Sequence, residues 1–400
     1  MLRYILSLLL PLFLTACTSE GPAPVSDTGP SVDTSAPADT SAPADSHSPA
    51  DTGAADTTPA DTTPADTGAM VDTQAVDTHV ADAGASDVIT LPTEKPEIVA
   101  TYELFIGDWD MAPGKETTKC VVKRLNNTDP IFVTGIKTVL AKGSHHLIVY
   151  KSIETEEQPE PFSCAPFTEG LSGGSFPLMI SQVPEEYLQF PNGIAFEFEP
   201  NQMIRIEAHF LNYFPETITA HADVTFETIA EEDVAAKADM LFYGTPDFSL
   251  PPNKETQTDW HFLDVLAGTH IFAVTGHTHQ WGTNVEITKA ENDSDPGVDI
   301  YPLDQTFVWS ESPVITYEPA LYFSKGQGLR YRCTWFNGSG KKVGFGESAN
   351  DEMCFLWAYY YPSKGYRMCI NAGSYGENFG IDQVCCPGDD FICDLVNSWL

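Results

Sequence analysis

The stretch His270-Ile-Phe-Ala-Val-Thr-Gly-His277-Thr-His279-Gln-Trp-Gly282 leaves the chain little choice of conformation. Ile271, Phe272, Ala273, Val274 and Thr275 are mostly β-branched or aromatic, and the run closes at Gly282, so it reads as a strand. Side chains two apart on a strand share a face, which sends His277 and His279 the same way. Two imidazoles so placed are half of a metal site. Imidazole suits Zn, Cu, Fe and Ni alike, so the pair does not name its metal. In isolation such a pair can equally be two polar residues facing water.

The rest of the folded chain also reads as β. Glu103–Ile106, Cys120–Arg124, Ile131–Val139, His145–Tyr150, Ala195–Glu199 and Met203–Phe210 form one series of expected strands, split by Gly, Pro and Asn. Asp239–Tyr243, His270–Thr275, Asn284–Thr288, Gln305–Trp309, Leu329–Trp335 and Met353–Tyr361 form a second. Short strands at this spacing suggest antiparallel sandwiches. The polar stretch Glu231–Lys237 separates the series, so two domains are expected, residues 95–233 and 234–400, the second with a Cys-rich tail.

The start of the chain is different material. Arg3, the apolar run Tyr4 to Leu14, and then Thr15-Ala16-Cys17 fit a secretory signal over residues 1–17, too short to span a bilayer. Leu14-Thr15-Ala16-Cys17 resembles a bacterial lipobox, which implies cleavage and lipidation of Cys17. Residues 18–94 repeat Asp with Thr, Ala, Pro and Ser and contain no Lys, Arg, Phe, Tyr or Trp. Such a segment buries too little apolar surface to offset its ordering entropy, and reads as a disordered tether holding a folded head away from a membrane. The expected location is an exported lipoprotein, periplasmic or on the cell surface. The Asp-Thr repeat lacks the Gly-rich loop spacing that calcium binding needs.

The net charge is −37, and the tether accounts for only part of it. A surface this acidic argues against nucleic acid and anionic lipid as partners. Nine Cys are present; with Cys17 lipidated, an even eight remain, as a disulfide set in an exported chain requires. Cys120 is expected to pair with Cys164, and Cys333 with Cys354. For Cys369, Cys385, Cys386 and Cys393 the connectivity stays open, except that adjacent Cys385 and Cys386 do not suit each other.

Further ligands lie along the chain. His145-His146 opens a strand, and adjacent strand residues face opposite ways, so joint binding of one metal needs an irregular backbone there. Gly143-Ser144 can supply it. In Met203-Ile-Arg-Ile-Glu-Ala-His209-Phe210, one apolar face leaves His209 on the other with Arg205 and Glu207. Met353, in Asp351-Glu352-Met353-Cys354, is oddly placed for a core residue; a thioether is a soft ligand that favours Cu(I).

Together these residues resemble the copper type II, ascorbate-dependent monooxygenases, the family of the peptidylglycine α-hydroxylating and dopamine β-monooxygenases. The family signature His-x-Phe, four residues, His-Thr-His, two residues, Gly stands here as His270, Phe272, His277, Thr278, His279 and Gly282. Asp351-Glu352-Met353-Cys354 matches too, as does Pro191-Asn-Gly193-Ile-Ala-Phe196 on the way to His209. The first signature is only partly kept: Leu147, Tyr150 and Ser152 stand where Met, Phe and Cys are usual.

The resemblance, over about residues 97 to 370, implies an all-β fold of two jelly-roll-like antiparallel β-sandwiches facing each other across a wet cleft. It implies two copper ions, one on His145, His146 and His209, the other on His277, His279 and Met353, with the second set carrying catalysis. The activity implied is hydroxylation of a C–H bond of a small organic substrate, using O2 and a reductant such as ascorbate. The amidating members carry Arg, Asn and Tyr where this chain has Thr275, Phe355 and Trp357. These substrate-wall candidates supply no charged fork for a carboxylate, so an uncharged or cationic substrate with an aromatic or aliphatic body suits them better. The alternatives are a non-catalytic copper-binding surface lipoprotein on the same scaffold, and an adhesive β-sandwich on a stalk, which leaves the ligands unexplained.

Overall fold

The structure, a computed structural model, describes residues 89–164, 175–346, 348, 350–371, 373 and 383–386. The signal and its Cys17, the tether as far as residue 88, and Cys393 lie outside the described residues. The described residues belong to one compact unit. The chain packs from Ile89 onward: Ile89 and Leu91 lie against the core, and the Asn192 amide donates to the carbonyl of Pro92 at 3.2 Å.

Four larger sheets carry the fold. The first orders its strands Ala100–Met111, Ile218–Ile229, Ile131–Leu140, Ile194–Phe198 and Ala236–Lys237, with Glu185–Gln189 also on Ile131–Leu140. The second orders Gln158–Ser163, Glu116–Arg124, Met203–Leu211, Ser144–Ser152 and Ser175–Ser181. The third runs Ile315–Phe323, Thr269–His277, Phe355–Tyr361, Asp239–Gly244, Arg367–Asn371 and Gln383–Cys386. The fourth runs Lys254–Gln257, Gly328–Asn337, Gly282–Ala290 and Val298–Tyr301, with His261–Asp264 on Gly328–Asn337. A 3-10 turn, Glu231–Asp233, lies in the polar stretch between the two series of strands. Among the described residues no helix is long and apolar enough to cross a membrane.

The all-β, almost helix-free character follows the sequence; the architecture does not. In place of two jelly-roll-like sandwiches, the sheets are arranged as a four-bladed β-propeller. The physical reason lies in burial. A free-standing sandwich leaves one face of each sheet in water, whereas Met203–Leu211 and Phe355–Tyr361 are buried at every position. Phe355, Trp357, Tyr359 and Tyr361 enter one apolar cluster, with Leu147, Ile206 and Phe272. Leu356, Ala358 and Tyr360 enter another, with Val274, Tyr331 and Trp335. A strand covered on both faces reads as a continuous apolar run, and Phe-Leu-Trp-Ala-Tyr-Tyr-Tyr is one. Alternation in sequence reports half-buried strands but not how many sheets close around them.

Two further readings change. Gln305–Trp309 is not a strand; it lies in the strand-free segment between Tyr301 and Ile315. Ser175–Ser181, Ile218–Ile229 and Ile315–Phe323 are strands the sequence did not announce. Cys120–Cys164 and Cys333–Cys354 are disulfides as expected. The open connectivity is settled in part: Cys369 pairs with Cys385, across neighbouring strands, and Cys386 is also disulfide-bonded.

Candidate metal centre

His145 and His146 reach one site because their strand is bulged. Pairing with Met203–Leu211 shifts between Ser144 and His146, so His145 is the extra residue and both rings turn inward, 5.0 Å apart. Gly143 makes the bulge possible: its φ is +88°, and a Cβ there would stand 2.4 Å from Ile218 and 3.1 Å from the Leu211 carbonyl. His209 sits directly opposite His146 in the register. His209 does not meet solvent; it is buried, with His145 and His146 beside it. The ligand nitrogens of His145, His146 and His209 lie within 4.8 Å of one another, and all three residues are buried.

His277 and His279 also come together, with rings 5.2 Å apart at 87°. The strand reading holds only to His277, where Thr269–His277 ends. His279 is placed by Glu352 instead. One oxygen of this buried carboxylate accepts from the His279 amide at 2.9 Å, the Met353 amide at 3.3 Å and the Trp335 indole at 2.9 Å. The other accepts from the Trp281 amide at 2.7 Å. Burial pushes the Glu352 carboxyl up to about 7, opposed by these hydrogen bonds. Gly282 closes the turn with its amide on the His279 carbonyl at 2.9 Å; a Cβ there would lie 1.8 Å from the Thr278 hydroxyl. Met353 is buried beside Cys354, whose disulfide to Cys333 ties the segment to the fourth sheet.

The two sets do not face each other across a wet cleft. The ring of His145 lies 6.2 Å from that of His277 and 5.8 Å from that of His279, and His146 lies 5.9 Å from His277. Five imidazoles form one buried cluster, with Trp309 edge-on to His145 at 5.1 Å.

Burial, reinforced by the neighbouring imidazoles, holds His145, His146 and His277 well below the ordinary histidine range. The same cause pushes His279 down to about 4. Neutral imidazole is the ligating form. Both ring nitrogens of His145, Nδ1 of His209 and Nε2 of His279 are buried with no hydrogen-bond partner among the described residues. Left so, each costs about 1–3 kcal/mol, which a metal ion would relieve. The other nitrogen of two rings is already held: His209 Nε2 by Glu116 at 2.9 Å, and His279 Nδ1 by the Asp351 carbonyl at 3.3 Å. Such partners fix which nitrogen is presented to a metal. The donors therefore fit a metal ion.

The wall candidates sit beside the cluster. Trp357 lies edge-on to His277 at 5.6 Å, Phe355 stacks on Phe242 at 4.7 Å, and Thr275 is buried opposite Trp357 in the register. Sequence reasoning passed over Glu352, although it lies in the run that drew notice to Met353. It also passed over Glu116, Gln182 and Trp309, which carry no local signal. Glu207 was seen only as a face neighbour of His209; it is buried, bonded by the Tyr150 hydroxyl at 3.0 Å, and 3.9 Å from His146.

Fold and site define an all-β protein with a buried imidazole cluster whose donors could hold a metal ion. Residues 238–380 match the family described as copper type II ascorbate-dependent monooxygenase, C-terminal domain. That stretch, which includes His277, His279 and Met353, is thus similar to this oxidoreductase family. Among solved structures, the major capsid protein P2 from bacteriophage PM2 aligns with a TM-score of 0.30 at 8% identity, over 66% of this chain and 100% of its own. The cowpea mosaic virus top component aligns at 0.24 and 11%, over 70% and 95%. Likeness of this degree supports no inference about function.

Proposed function

We propose that the protein is a copper-dependent monooxygenase that hydroxylates a C–H bond of a small organic substrate with O2 and a reductant such as ascorbate. The observation that carries the reading is the buried cluster of His145, His146, His209, His277 and His279, with the family match covering its second half. In this reading His145, His146 and His209 hold one copper, and His277, His279 and Met353 the other. Copper bound there would supply one-electron redox chemistry and activation of O2. The chain's own part is to keep the imidazoles neutral, present chosen nitrogens and exclude water. Phe355 and Trp357 form an apolar aromatic wall for the substrate, and Thr275 leaves it without a cationic anchor. The head is held at a membrane by lipidated Cys17 and the acidic tether.

The burial of the cluster, with Trp309 against His145, favours a second reading, copper binding without hydroxylation, unless the segment carrying Trp309 moves aside. Oxygen uptake by the copper-loaded protein, with ascorbate and a panel of neutral aromatic and amine compounds, decides between them. Substrate-dependent uptake with a hydroxylated product supports the first reading. Tight copper binding with no uptake beyond ascorbate oxidation supports the second.

A further inference from the structure

Gln182 follows the strand Ser175–Ser181, and Ser181 pairs opposite Leu147, next to His146. Its side chain is buried and crosses to the third sheet. There it makes two contacts: Nε2 donates to the carbonyl of Gly276 at 3.4 Å, and Oε1 lies 2.6 Å from His277 Nδ1. The orientation of the amide follows from chemistry. A backbone carbonyl can only accept, so the amide end facing Gly276 is the NH2, and the end facing His277 is the oxygen. An amide oxygen also only accepts, so His277 must carry its hydrogen on Nδ1. In a neutral imidazole that leaves Nε2 as the nitrogen with the lone pair.

We propose that Gln182 is a positioning residue: it fixes His277 as the Nδ1–H tautomer and makes the His277–His279–Met353 half of the centre depend on the half bearing His145, His146 and His209. The inference rests on the metal-centre reading above. His277 is the last residue of Thr269–His277 and pairs opposite Phe355, so the strand places its backbone while the side-chain contact of its Nδ1 comes from Gln182. Gln182 holds that ring and the preceding carbonyl from the sheet that carries the other three imidazoles. A ligand whose second nitrogen is anchored in this way loses about 10–100-fold in metal affinity when the anchor is removed.

The test uses the full chain as wild type, Gln182→Leu and Gln182→Glu. Long-range 1H–15N NMR of the metal-free protein reads the His277 tautomer. Competition titration with copper reads the affinity of each site, and thermal unfolding checks that each variant folds. The wild type should give Nδ1–H. Gln182→Leu should lose that preference and weaken the His277-side copper about 10–100-fold, leaving the copper on His145, His146 and His209 unchanged. Gln182→Glu, which keeps the acceptor for His277 but gives up the donor to the Gly276 carbonyl, should keep the Nδ1–H tautomer. Nε2–H in the wild type, or a folded Gln182→Leu protein with both affinities intact, overturns the proposal. A wild type with Nδ1–H that binds no copper overturns the metal reading and the coupling built on it, while the Gln182–His277 bond stands.

Discussion

His145 is the residue where sequence and structure meet most closely. The His145-His146 pair called for a bulge, and Gly143 at φ +88° makes one. Met353 is testable in the same spirit. Its burial means that Met353→Ala confounds ligand loss with a cavity costing about 2–5 kcal/mol. Met353→Leu keeps the volume, at a cost under about 1.5 kcal/mol, and removes the sulfur. The variant should fold and hold copper on His145, His146 and His209, yet fail to hydroxylate; normal turnover would remove Met353 from the ligand set. The depressed imidazoles make a prediction for the metal-free protein. His279 is neutral in the fold down to about 4, against 6.5 when exposed, so between those values the unfolded chain binds a proton that the fold excludes. The His279 contribution to stability is therefore lost as pH falls through this window, by about 3 kcal/mol, with His145, His146 and His277 adding in the same direction and the buried Glu352 and Glu186 carboxyls, pushed up to about 7, opposing it. Urea midpoints of the wild type and of His279→Gln, each measured at about pH 7.5 and about pH 4.5, check this; a pH dependence unchanged by the substitution would mean that the ring is not held neutral.

At the scale of elements, the segment Asp351–Cys354 acts as a clamp. Glu352→Ala would strand three backbone N–H groups and the buried Trp335 indole, at about 1–3 kcal/mol for each group left unsatisfied. The expected result is a lowered melting temperature and a weakened His279-side copper, read by differential scanning calorimetry and copper titration. Unchanged values in both would show that the carboxylate positions nothing. Strands were legible where period-two alternation or an unbroken apolar run was strong, as in Met203–Phe210. Gln305–Trp309 had strand-like residues but no partner strand to pair with, and its Trp309 went instead to the imidazole cluster. Gln182 was invisible for a related reason: a glutamine after an apolar strand has no meaning until a second sheet brings His277 to it.

At the scale of the whole molecule, the sequence announced β structure but not its arrangement. Local pattern records which face of a strand is apolar, and the four-bladed arrangement depends on which sheets cover which faces. The same limit hid the closeness of the two histidine sets, since nothing in the spacing of His146 and His277 says that their rings lie 5.9 Å apart. The lipobox reading predicts that Cys17→Ala moves the protein from the membrane fraction to the soluble one without changing copper binding; retention after a high-salt wash would contradict it. The central claim is that this cluster is a copper centre. Elemental analysis of the full chain, reconstituted with copper and dialysed against a weak chelator, tests it directly. The account predicts two tightly held copper ions per folded chain, falling to one when His277 and His279 are both replaced by Ala. A folded, fully oxidised protein that retains one copper or none would contradict it.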